Sequence, residues 1–155
     1  MIGKDKLIKE KRHDAYGTKG KWPEPTVCRE CGARYVGGRW TWEPGSGGAH
    51  ETVCPACRRI ADNFPAGYLE IKGPFFDGHA EEIRNLIRNT EGLEKVRHAL
   101  ERIIAIADQD GGLLVTTTGI HVARRIGEAL ERAYQGTHSF RYAEGAKRIR
   151  IYWER

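Results

Sequence analysis

Two pairs of cysteines, Cys28-Arg29-Glu30-Cys31 and Cys54-Pro55-Ala56-Cys57, constrain this chain more than any other feature, and they are its only four cysteines. Thiols three positions apart can come from one tight turn. Two such turns supply the four sulfurs of a closed tetrahedral Zn2+ site, the arrangement of a zinc ribbon. Gly32 after the first pair and Pro55 inside the second suit tight turns. A disulfide framework would need an oxidising compartment, and Met1 to Lys6 lacks the apolar stretch of a secretory leader. A redox pair would be a single Cys-x-x-Cys entering a helix. One zinc held by Cys28, Cys31, Cys54 and Cys57 is the expectation. Four sulfurs fill its coordination sphere, so the metal is structural and not catalytic.

At 155 residues the chain has room for one ordinary domain, or a small domain with a metal-stapled module. Three segments are expected: a flexible basic arm (1–25), a zinc ribbon (26–67) and an α+β domain (68–155). The net charge is +5. Its distribution is polar: residues 73–112 carry eight acidic and five basic side chains, residues 113–155 four acidic and eight basic. Lys4, Lys6, Lys9, Lys11 and Arg12 crowd the start. Basic ends suit a polyanionic partner, although mild basicity also aids solubility. No apolar run approaches a membrane span, and a cytoplasmic protein is expected.

Between the cysteine pairs, Arg34-Tyr35-Val36-Gly37-Gly38-Arg39-Trp40-Thr41-Trp42 predicts a β-hairpin with a Gly-Gly turn, followed by a Gly-rich loop from Glu43 to His50. Tyr35, Trp40 and Trp42 are expected mostly to pack over the metal knuckles; alternatively, Arg39 and one exposed ring stack on bases. Arg58 to Gly67 reads as a short exit ending in a Pro-Ala-Gly turn. Tyr68–Lys72 predicts a strand, stopped by Gly73-Pro74. Helices are predicted over 79–89 and, with Thr90 as N-cap, from there to Asp108, the second on the spacing of Leu93, Val96, Leu100, Ile103, Ile104 and Ala107. Leu113–Thr117 reads as a strand, and Gly119 to Gly136 bounds another helix. Phe140 and Tyr142, then Ile149, Ile151 and Trp153, alternate as a hairpin. The expected order is β-α-α-β-α-β-β, a mixed sheet with helices on one face.

If the alternating apolar residues face the helices, Arg141, Arg148, Arg150 and Tyr152 share the open face. Cations beside an aromatic ring there suit RNA phosphates and bases, or keep an exposed strand soluble. Arg124 and Arg125, one turn into a helix, are a second anion-binding candidate, or a solvated face. Phosphate-loop, nucleophile-elbow and His-Glu-x-x-His motifs are missing, and His13, His50, His79, His98, His121 and His138 lack ligand spacing. An enzyme is not expected.

Cys54-Pro55-Ala56-Cys57-Arg58-Arg59 with Pro65-Ala66-Gly67-Tyr68, then Ala123 to Leu130, then Ile149-Arg150-Ile151-Tyr152-Trp153, resemble the amino-terminal part of the archaeal and eukaryotic adaptor of the large ribosomal subunit, in eukaryotes its nuclear-export adaptor. The chain is more similar still to a group of bacterial zinc-ribbon proteins that share the Lys-rich start and Gly38-Arg39-Trp40. The adaptor family carries further Cys-x-x-Cys pairs and β-barrel domains, so its second zinc and export signals are not implied. The resemblance implies contact with ribosomal or other structured RNA through the ribbon and the sheet.

The reading is therefore a zinc-ribbon RNA-binding protein associated with ribosomes in assembly, hibernation or quality control, with contacts at Arg141, Arg148, Arg150, Tyr152, Arg124, Arg125, Arg39, Lys9, Lys11 and Arg12. The rival is a protein–protein adaptor docking through the ribbon. A DNA-binding regulator ranks third, because no recognition-helix motif is evident. A small-molecule substrate is not expected.

Overall fold

Short alternating segments and glycine turns build the first module in the computed structural model, which describes residues 22–45, 50–143, 145 and 147–155. Thr26–Cys28 (β1), Arg34–Val36 (β2), Arg39–Thr41 (β3) and His50–Thr52 (β4) form a sheet in the order β3-β2-β1-β4. β2 and β3 are the expected hairpin, with Tyr35 opposite Trp40. Gly37 and Gly38 turn it at φ of 64° and 80°, the left-handed pair a type I′ turn requires. β4 joins β1 in parallel. The first half of the segment read as a short exit (58–67) is instead helical, part of Pro55–Asp62 (α1), with Pro55 in its first turn and Cys54 as N-cap. Proline fits there because the first helical N–H groups have no intrahelical acceptor.

The second module comprises Gly67–Lys72 (β5), Pro74–Arg97 (α2), Ile103–Gln109 (β6), Gly112–Thr117 (β7), Ile120–Tyr134 (α3), Thr137–Ala143 (β8) and Arg148–Glu154 (β9). Its sheet runs β6-β7-β5-β9-β8. The β5–β9 pair is parallel and the others antiparallel. The protein is thus α+β, with two mixed sheets and three helices among the described residues.

Its order is β-α-β-β-α-β-β, which corrects the expected pair of successive helices. One helix, kinked at His79 (φ −134°, ψ 24°), runs to Arg97. Thr90 caps nothing: its hydroxyl donates to the Leu86 carbonyl within that helix. The second half of the expected helix is β6. Leu93 and Val96, placed on a buried stripe by their spacing, are 75% and 76% exposed. Ile103, Ile104 and Ile106 favour a strand because their branched side chains fit a pleated surface. Asp110 and Gly111 then reverse the chain at φ of 37° and 78°, the Asp-Gly signal of a tight hairpin.

One face of the sheet makes the core. Leu69, Ile71, Leu113, Val115, Ile149, Ile151 and Trp153 meet Ile83 and Ile87 of α2 and Val122, Ala123, Ile126 and Leu130 of α3. Each buried aliphatic side chain contributes about 1.5–3 kcal/mol. Gly127 allows α3 this approach, since a Cβ there would lie 2.8 Å from His138 Nε2 and 3.1 Å from Ile151 Cγ2. Phe140 and Tyr142 share the helix-side face by register with Ile151 and Ile149. β8 is an edge strand, however, which α3 meets at His138, and Phe140 farther along it is 53% exposed. No helix among the described residues is long and apolar enough to cross a membrane.

Candidate functional site

Backbone geometry brings the two cysteine pairs together. Cys28 ends β1, and the chain turns back with the Gly32 amide donating to the Cys28 carbonyl (2.9 Å) and the Cys28 amide to the Ala33 carbonyl (2.7 Å). Gly32 sits at φ 84°, which a side chain would resist. The second pair uses the start of α1, where Cys54 and Cys57 fall one turn apart on the same side. Three amides point at sulfur: Cys54 to Cys28 Sγ (3.2 Å), Cys57 to Cys54 Sγ (3.4 Å) and Ala33 to Cys31 Sγ (3.5 Å).

All four Sγ atoms lie within 4.8 Å of one another, and none is in a disulfide. Cys28 and Cys57 are 3.8 Å apart, as are Cys31 and Cys54. A tetrahedron with metal–sulfur bonds of about 2.3 Å has edges of about 3.8 Å. The four residues therefore fit a metal ion and could hold one. Burial raises the thiol pKa of Cys54 and of Cys57. At Cys28 burial works in the same direction but the amide of Cys54, with those of Cys31 and Glu30, brings the pKa down to about 7.

A residue the sequence reading did not select completes this cluster. Arg102, between α2 and β6, is 5% exposed. Its Nη1 donates to Cys57 Sγ (3.2 Å), its Nη2 to Cys31 Sγ (3.1 Å) and Cys54 Sγ (3.6 Å), and its Nε to the Ala99 carbonyl (2.8 Å). The guanidinium also lies 5.2 Å from the Trp42 ring. Burial alone would weaken its charge; the sulfurs more than reverse that and raise its pKa. Four thiolates around a divalent ion carry excess negative charge, and a buried guanidinium offsets part of it through charge-assisted hydrogen bonds. Trp42 adds a second tie by donating from Nε1 to the Lys95 carbonyl at the end of α2 (2.8 Å). Ala99 joins the core of Tyr35, Trp40, Cys28 and Cys54, with Leu100 packed against it.

With Tyr35 and Trp40 buried and Trp42 engaged by Arg102 and Lys95, these rings serve packing, and Arg39 stands exposed. Arg124 is exposed on α3. Arg125 faces carboxylates, at 3.4 Å from Glu128 and 3.8 Å from Glu94. The expected anion site at the start of α3 is filled internally, because the Val122 amide donates to Glu101 Oε1 (2.8 Å). Burial raises the pKa of this Glu101 carboxyl. Lys9, Lys11 and Arg12 lie outside the described residues.

On the sheet face turned from the helices, register lines up Thr116, Tyr68, Arg150 and Arg141 across β7, β5, β9 and β8. Arg150, Tyr152 and Arg141 are exposed. The Arg150 guanidinium sits 4.3 Å from the Tyr68 ring centre, and Arg148, two positions earlier, 4.9 Å from that of Phe64. Arg59 of α1 approaches the same Phe64 ring at 5.4 Å. The structure thus brings Arg141, Arg148, Arg150 and Tyr152 onto one side and adds Phe64, Tyr68 and Arg59. Residue pattern marked the strand arginines; only tertiary packing reveals their rings. No family model, curated protein or solved structure matches the chain.

Proposed function

We propose that this is a zinc-stabilised RNA-binding protein of the cytoplasm, not an enzyme, that acts on ribosomes or other structured RNA. Zinc is the metal of choice for four thiolates in a closed site, and it supplies a rigid junction, not a reactive position. Cys28, Cys31, Cys54 and Cys57 would hold it in a zinc ribbon. The observation that carries the reading is the exposed sheet face on which Arg141, Arg148 and Arg150 gather beside Tyr68 and Tyr152. Guanidinium groups grip phosphate while rings and guanidinium planes accept bases. The choice of ribosomal RNA rests on the resemblance of the 54–68, 123–130 and 149–153 segments to the large-subunit adaptor.

Sucrose-gradient fractionation of a cell lysate tests this. Co-sedimentation with ribosomal subunits at low salt, lost at high salt, is expected, because phosphate contacts release counterions. A protein that stays at the top of the gradient in every salt sinks the reading. A second reading, a protein–protein adaptor, is favoured by the exposed Leu93 and Val96 on α2; it predicts co-sedimentation that persists after ribonuclease treatment.

A further inference from the structure

Resting on the RNA-binding reading, we propose that the basic sheet face is a platform for unpaired nucleotides, holding one phosphate between Arg141 and Arg150 and stacking neighbouring bases on the Tyr68–Arg150 and Phe64–Arg148 pairs. Arg141 and Arg150 are direct cross-strand partners. Like charges placed opposite each other on a sheet destabilise it. Neither has an acidic partner among the described residues, whereas Arg125 and Arg84 do. A phosphate set between the two guanidiniums turns that repulsion into two charge-assisted contacts.

The spacing of the two arginines along the β9 backbone points to one form of nucleic acid. Arg148 and Arg150 stand two residues apart on β9, which sets them about 6.6 Å apart along the strand. That is roughly twice the 3.4 Å rise between stacked nucleotides. Successive bases of a helix cannot reach both platforms while stacked on each other. An extended, unpaired strand can place one base on each. Arg150 lies over the Tyr68 ring and Arg148 over the Phe64 ring, so each platform is a ring already backed by a flat guanidinium. A ring paired with a cation suits any base and favours no sequence. Toward the other end of the same face, Glu70 lies opposite Tyr152 and Glu154 opposite Lys72, so the net positive charge of the face lies at the arginine end.

The test is fluorescence anisotropy on the full, metal-loaded chain with three labelled probes: a single-stranded RNA of ten nucleotides, a hairpin carrying that sequence as duplex, and the same strand with abasic positions. The single strand is expected to bind at least tenfold tighter than the hairpin. Removing bases should weaken binding roughly 5- to 150-fold per contacted position. Tyr68→Leu with Phe64→Leu, which keep the apolar bulk, should weaken the intact strand and leave the abasic strand unchanged. Arg141→Gln with Arg150→Gln should lower the salt slope by about 0.7 for the phosphate released. Equal affinity for hairpin and single strand, or for abasic and intact strand, overturns this inference and leaves RNA binding standing. Absence of binding to every probe overturns both.

Discussion

Replacing Arg102 by Met is the sharpest probe of the metal centre. Met keeps most of the buried volume and loses three N–H···S bonds at 3.1, 3.2 and 3.6 Å, one bond to the Ala99 carbonyl, and the contact with the Trp42 ring. A hydrogen bond to a charged partner contributes about 1.5–3 kcal/mol, so a sum over three sulfurs would reach ~5–9 kcal/mol. That sum overcounts, because the bonds share one desolvated group. Removing one partner of a buried charge pair costs roughly 3–5 kcal/mol, and this bounds the expected loss for the metal-loaded protein. Part of it should appear as metal affinity, since residues that support metal ligands affect it by about 10–100-fold. Cobalt substitution gives the assay: the sulfur-to-metal absorption of a Co2+–thiolate centre, titrated with a competing chelator, yields affinity, and denaturant unfolding of the loaded protein yields stability. Arg102→Lys should fall between the two, because a single ammonium cannot span three sulfurs as a planar fork does. An Arg102→Met protein within twofold of the parent affinity, with an unchanged unfolding midpoint, would refute the reasoning.

Removing the metal should unfold the first module while the sheet core persists, because the two hydrophobic clusters are separate. Hydrogen exchange should show residues 98–103 losing protection together with residues 26–45 and 50–60, with 122–130 and 149–153 still protected. Burial holds the Cys54 and Cys57 thiols protonated at neutral pH in the metal-free protein. Metal binding must expel those protons, so affinity should rise with pH and fall as pH drops; calorimetry in buffers of different ionisation enthalpy counts the protons. Gly127→Ala should destabilise the sheet module by about 1–3 kcal/mol, read from thermal unfolding, because its Cβ would crowd His138 and Ile151. Trp42→Phe keeps a ring but loses the bond to the Lys95 carbonyl, and about 1 kcal/mol of stability with it.

Local chemistry was legible in the sequence wherever a short spacing carried it. The cysteine pairs, the Gly37-Gly38 hairpin, the α3 stripe and the alternation of β9 each follow from contacts within a few residues. The β6 segment reads as helix because Leu93, Val96, Leu100 and Ile103 happen to keep helical spacing across the end of a real helix. The branched Ile103-Ile104 pair and the Asp110-Gly111 turn carried the better signal. Arg102 could not be found this way. Its sulfur partners lie 45 to 71 positions away, and its buried charge is explained only by the thiolates it meets. The rings behind Arg148 and Arg150 were hidden for the same reason, since Phe64 and Tyr68 come from a different part of the chain.

The parallel pairing of β5 with β9 has a kinetic consequence. The β8–β9 hairpin joins neighbours and can form within about 1–10 μs. Seating β9 against β5 must close a loop from Lys72 back to Arg148, and long-range closures of this kind slow folding. Until that docking, both strands are unpaired edges that display Leu69, Ile71, Ile149, Ile151 and Trp153, the composition most prone to pair with another chain. Aggregation during refolding should therefore grow with protein concentration, and it should be suppressed most by whatever speeds the docking of β9.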